Sequence, residues 1–250
     1  MKKLAGLIMV IIGVVCFMPS GVLNFCFRQL NVPLAINNGS GTIWSGGGDL
    51  FFSPSSHGAL KPFRILERLK WDVQFSHIFS KGLVFVFSSN QFQEDITVSL
   101  MRSEIYLSSF KIFSNAEFLE HFGEPFHTIL PQGVVVFDSR GIKFTDDTVI
   151  GGLGIHFNLI SSHLIPNVNV LGNYDVNLQG DKDGIAIGLS SRDALILLKG
   201  SGSVDLRHRR VEFRGFAEPA KKAPVAVQKI LRLIGHRIGS RTVLDSKFSW

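Results

Sequence analysis

Tyr174-Asp-Val-Asn-Leu-Gln-Gly180 runs into Asp181-Lys-Asp-Gly184 and then Ile185-Ala-Ile-Gly-Leu189. Tyr174, Val176 and Leu178 alternate with Asp175, Asn177 and Gln179; Ile185, Ile187 and Leu189 alternate with Ala186, Gly188 and Ser190. Successive side chains of a strand point to opposite faces, so this period of two predicts two strands with one face toward a core. Asp181 to Gly184 supplies the turn between them. A third strand is expected over Ala194 to Lys199, turned by Gly200-Ser201-Gly202. Val204 with Leu206, and Val211 with Phe213, predict two more. Strands about ten residues apart with turn residues between them describe an antiparallel meander.

Working upstream, the same pattern recurs in Leu130-Pro-Gln-Gly133, Val134 to Phe137, Ile142 to Phe144, Val149-Ile150 and Ile155 to Leu159. Further up lie Trp71 to Phe75, Leu83 to Phe87, Ile96 to Leu100 and Ile105 to Phe113. Ser114 to Glu117 has the form of a capping box before Phe118, Leu119 and Phe122, which predicts a short helix ended by Gly123 and Pro125. Leu60 to Lys70 reads as one or two helical turns, and Asn24 to Asn38 as a connector. Downstream, Val227, Ile230, Leu231 and Ile234 stand at helical spacing, with Gly235 closing the helix, and Thr242 to Trp250 reads as a last strand. The fold class is mainly β. Trp71-Asp-Val-Gln-Phe75 resembles Tyr174-Asp-Val-Asn-Leu178, and Lys81 to Ser89 resembles Asp183 to Ser191. This echo suggests two similar halves, about 40–128 and 129–250, forming one elongated curved sheet.

The N-terminus is of another kind. Leu4 to Leu23 carries no charge, and Lys2 and Lys3 precede it. A helix of 20 apolar residues spans a bilayer, and short positive flanks stay in the cytoplasm. Residues 1–25 are therefore read as a cytoplasmic stub and single transmembrane anchor in the inner membrane, and 26–250 as a periplasmic β-rich domain. A cleaved signal peptide and a lipid-modified Cys16 are the alternatives; each exports the rest of the chain. Gly6 and Gly13 lack the Gly-x-x-x-Gly spacing that brings two spans together, so the span is expected to act as a tether.

Composition narrows the function. Net charge is +6, falling to about +4 without the two N-terminal lysines, a mild excess that suits an anionic membrane surface or acidic partners. The two cysteines, Cys16 and Cys26, lie at the N-terminus, so no disulfide framework staples the body. His57, His77, His121, His127, His156, His163, His208 and His236 form no metal-ligand pattern. No serine sits in Gly-x-Ser-x-Gly, and Gly200-Ser-Gly202 lacks the third glycine of a dinucleotide loop. Asp181 and Asp183 read as turn residues rather than calcium ligands, and Arg207 to Arg210 as a solvated basic hairpin tip. No catalytic, cofactor or metal site is expected, and nucleic acid does not suit an exported domain.

Taken in order, Gly41-Thr-Ile-Trp-Ser-Gly46, Trp71 opening a strand, Leu130-Pro-Gln-Gly133, Leu198 to Gly202, Phe213 to Ala217 and the helix with Leu231 and Gly235 resemble the type II secretion system protein N family. Ile43 stands where the family motif more usually has leucine, and Asn90 to Thr128 matches poorly. The resemblance implies a non-catalytic inner-membrane component of the machine that exports folded proteins from the periplasm, in contact with the machine's other inner-membrane components. Lipid handling by a Phe-lined β trough, as in proteins of the AsmA kind, is the rival reading.

Overall fold

The computed structural model describes residues 13–53, 62–75, 82–165, 167–239 and 241–249. They are mainly strand, and the chain divides into two compact units at Gln91/Phe92.

In the first unit, helix α1 (Gly21–Gln29) precedes four antiparallel strands in spatial order β1 (Leu34–Gly41), β2 (Ser45–Phe52), β3 (Phe63–Gln74) and β4 (Leu83–Ser88). Two sequence expectations change here. The connector from Asn24 to Asn38 holds most of α1 and the start of β1. Leu60 to Lys70 is strand from Phe63 onward, not helix. Phe63, Leu66 and Leu69 are buried three residues apart, which imitates a helical stripe. The spacing arises because the β2–β3 register shifts around Leu50, and Arg68 has φ 52°. Beyond it, Leu69, Trp71 and Val73 resume a strict alternation.

The apolar run Leu4 to Leu23 is not one helix throughout. Residues 1–12 lie outside the described residues. Residues 13–16 are helical, the helix stops there, and Pro19 forms a bridge with Thr42. Ser20 N–H donates to Gly41 O (3.1 Å) and Ile43 N–H to Met18 O (3.0 Å). Among the described residues no helix is long and apolar enough to cross a membrane.

The turn that receives this segment is Gly41-Thr-Ile-Trp-Ser-Gly46. Thr42 Oγ1 accepts from the N–H groups of Trp44 (3.2 Å) and Ser45 (3.1 Å), and Gly41 takes φ 79°, where a side chain would strain the backbone. Trp71, 4% exposed, lies across Gly46 and donates its indole N–H to Thr42 O at 3.1 Å. A Cβ on Gly46 would stand 2.7 Å from the Trp71 ring and 2.5 Å from Ser40 O. Trp44 donates its own indole N–H to Val15 O at 2.7 Å.

The second unit is ordered β5 (Ile96–Leu100), β6 (Glu104–Leu107), β8 (Pro131–Thr145), β9 (Val149–Ser162), β10 (Gly172–Gly180), β11 (Ile185–Arg192), β12 (Ile196–Asp205), β13 (Arg210–Pro219), β15 (Arg241–Ser249) and β14 (His236–Ile238), all antiparallel. β7 (Phe110–Asn115) pairs with β8 beyond the stretch that β6 uses, so the single strand expected from Ile105 to Phe113 is two. Gly200 to Gly202 is not a turn: β12 continues through it. Those glycines make room for a ring. A Cβ on Gly200 would lie 2.5 Å from Phe213 Cζ, and one on Gly202 3.0 Å from Phe213 Cδ2.

The expected helix after Ser114 is a 3-10 helix (Ala116–Phe122), and no side chain caps its N-terminus; it leads to α2 (Phe126–Ile129). Helix α3 (Val227–Ile234) buries Val227, Ile230 and Leu231 and packs against β13 and β15. With Val135, Tyr174, Ile196 and Ala217 they form the core of this unit.

Replacing Gly46 with Ala should lower the unfolding free energy by at least about 2 kcal/mol, because the methyl meets backbone oxygen and a buried ring at once. Gly188→Ala is the contrast. Its Cβ would have nothing nearer than 3.9 Å, so the change should be neutral or stabilising by up to about 1 kcal/mol. Urea unfolding of the two variants reads both.

Candidate interaction faces

The register of the second unit sorts its side chains into two faces. Leu153, Leu178 and Ile187 align across β9, β10 and β11, as do Ile155, Val176 and Leu189. Toward the helices this face is closed by the buried core of α3, Tyr174 and Ile196. Away from them, Ile142, Leu153, Leu178, Ile185, Ile187 and Val204 stay only half-buried. The opposite face carries Asp175, Asn177 and Gln179 on β10, and Lys199, Ser201 and Ser203 on β12.

The polar face holds one tight cluster, which sequence reasoning missed. Asp175, 7% exposed, stands directly across from His156 on β9 and next to β11, whose Arg192 reaches back to it. Its carboxylate accepts from Arg192 Nε (2.6 Å) and Nη2 (3.0 Å), and lies 2.6 Å from His156 Nδ1. Burial pushes the Asp175 carboxyl up, but the hydrogen bonds and charges of Arg192 and His156 outweigh it and hold the group below the ordinary Asp range. Arg192 is raised in return, chiefly by its hydrogen bond to Asp175. Such a cross-strand ion pair fixes the registers of β9, β10 and β11 together. Because the three residues lie 17 and 19 positions apart in sequence, only the strand pairing signals them.

The other singled-out residues fall as follows. Asp181 Oδ1 accepts from the N–H groups of Asp183 (2.9 Å) and Gly184 (3.2 Å), so it closes the β10–β11 hairpin. Arg207 to Arg210 is the exposed tip between β12 and β13. There the His208 backbone N–H, and then its ring, hold the Asp205 carboxyl below its usual range. His121 is half-buried, His127 and His236 are exposed, and His57 and His77 lie outside the described residues. Among the described residues no three His, Cys, Asp or Glu side chains are grouped as metal ligands. Cys16 and Cys26 are exposed and unpaired with each other. Leu130-Pro-Gln-Gly133 opens β8 with Leu130 at φ 48° and a register shift beside Gly133, so this motif serves a bulge.

The motifs thus mark strand crossings, turns and bulges spread over both units, and a comparison with known families weighs them together. A model for the type II secretion system (T2SS) protein N matches residues 33–243. The chain belongs to this family. The match starts just before β1, takes in the Thr42 turn and the Asp175 cluster, and ends within β15. No curated protein sequence and no solved structure was found to match.

The cluster carries a pH signature. Asp175 is depressed in the folded state, so its contribution is complete above the unfolded Asp value of about 3.9 and is lost as pH falls through the lower folded value. Asp175→Asn should cost about 1–3 kcal/mol at pH 7 and flatten the acid limb of the stability curve below about pH 4. Urea midpoints between pH 2 and pH 7, set out in steps of about one unit, would show it.

Proposed function

We propose that the chain is a non-catalytic, inner-membrane-anchored component of a type II secretion machine, with both β units in the periplasm. The observation that carries this reading is the family match across residues 33–243. The uncharged stretch from Leu4 behind Lys2 and Lys3 supports the anchor and its orientation. In this reading the apolar run that begins at Leu4 holds the protein in the bilayer. The β units work beside it as a scaffold for the machine's other inner-membrane components. Tethering confines the units to a thin layer and raises their effective concentration for anchored partners, so weak contacts suffice.

The work proposed is recognition rather than chemistry. The tightest polar cluster, Asp175 with Arg192 and His156, is spent on strand register. A second reading, lipid handling, is favoured by the half-exposed apolar positions of β8 to β12. Phospholipid held on that face would co-purify with the protein and appear in native mass spectra. Its absence there leaves the scaffold reading as the one to pursue.

Two measurements test the proposal. Deleting the gene should abolish or strongly reduce the type II substrates found in the medium and leave them folded in the periplasm; undiminished export contradicts the role. Alkaline phosphatase fused after Phe52 should be active, since that enzyme forms its disulfides only in the periplasm; a full-length fusion that accumulates without activity contradicts the orientation.

A further inference from the structure

Helix α1 shows water an unusual surface. At about 100° per residue, its packed side is the arc of Leu23, Asn24 and Phe27. Asn24 Nδ2 donates to Ile36 O (2.8 Å), and Asn24 Oδ1 accepts from Ile36 N–H (2.7 Å), so this side chain stands in for a neighbouring strand and fixes α1 to the edge of β1. The remaining arc, roughly 200° wide, carries Phe25, the half-buried Val22, Cys26 and Leu30, with the uncharged Gln29 among them and a single charge, Arg28, at its edge. Phe25 is 62% and Leu30 72% exposed. A helix facing water normally places charges on such an arc, as α3 does with Arg232.

The surroundings name the occupant. Phe17 (80% exposed), Val14 and Val15 form the adjoining apolar surface of the same unit, held in place by the Trp44 indole on Val15 O. The sequence running into them, Leu4 to Ile12, carries no charge. No acidic residue occurs before Asp49, so α1 and the segment leading into it carry no charge that repels anionic headgroups, and Arg28 would attract them. An apolar helix arc with one cation, joined directly to an apolar segment, suits the headgroup–acyl boundary, where Trp and Phe side chains also settle.

We propose that α1, with Phe17, Phe25 and Leu30, lies in the bilayer interface as a second membrane contact of the first unit. This rests on the reading that the N-terminal segment is anchored. The contact fixes the orientation of β1 and β2 toward the membrane, because Asn24 links the helix to β1. A bare flexible tether would leave that orientation free.

Cys26 offers a probe. The full chain carrying Cys16→Ala is labelled at Cys26 with an environment-sensitive nitrobenzoxadiazole dye. It is reconstituted at no more than one copy per vesicle in phosphatidylethanolamine and phosphatidylglycerol, so that no second copy can cover the helix. The dye should emit as in an apolar interface, resist aqueous iodide, and be quenched more by a shallow nitroxide lipid than by a deep one. Phe25→Asp with Leu30→Asp should cut the shallow-lipid quenching at least about twofold, with the protein still resisting carbonate extraction. A carbonate-resistant protein whose Cys26 dye behaves as in water overturns the interfacial helix alone. Extraction of the unsubstituted protein by carbonate overturns the anchor as well.

Discussion

Trp71 lying in the notch left by Gly46 is the contact from which the first unit is built. The ring can be buried there only because β2 has no side chain at that crossing, and burying a tryptophan is worth several kcal/mol. Its indole N–H holds Thr42 O, Thr42 holds the turn, and the turn receives Met18 to Ser20. The same device recurs in the second unit, where Phe213 lies over Gly200 and Gly202 of β12. An aromatic ring covering a strand glycine stabilises a position that would otherwise weaken the sheet. With 22 Phe and 25 Gly, this chain has ample material for it.

These contacts explain why a family signature can be spread thinly along a chain. Gly41-Thr-Ile-Trp-Ser-Gly46 and Leu130-Pro-Gln-Gly133 gather no reactive groups. Each supplies a backbone conformation or a close approach that other residues would obstruct. Buried Asp175 follows the same logic, since its carboxylate, held by Arg192 and His156, ties three strands in register. For the proposed scaffold role, fixed strand positions matter more than a reactive pocket.

The meander from Tyr174 to Leu189 was legible because large apolar side chains on one face alternate strictly with polar or small residues on the other. α3 was legible from its stripe and from Gly235 beyond it. Three features were not. The register shift around Leu50 and Arg68 set the buried residues of β3 three apart and disguised a strand as a helix. Gly200 and Gly202 looked like punctuation because the ring that needs them, Phe213, is eleven or more residues downstream. The apolar run Leu4 to Leu23 read as a uniform span, although Pro19 and Ser20 join the β unit; hydropathy does not distinguish an apolar residue facing lipid from one bridging to Thr42. His156, Asp175 and Arg192 meet through register alone, which no local pattern records.

If the β units carry recognition, the apolar run that begins at Leu4 acts only as a tether. The most direct measurement exchanges Leu4 to Ile12 for an unrelated apolar sequence of the same length, keeps Lys2, Lys3 and everything from Gly13 onward, and follows secreted substrates in the medium of a deletion strain. Secretion close to that of the unaltered chain is the predicted result. Loss of secretion by a hybrid that accumulates normally, with its β units in the periplasm, would contradict the claim and make the span itself part of the interface.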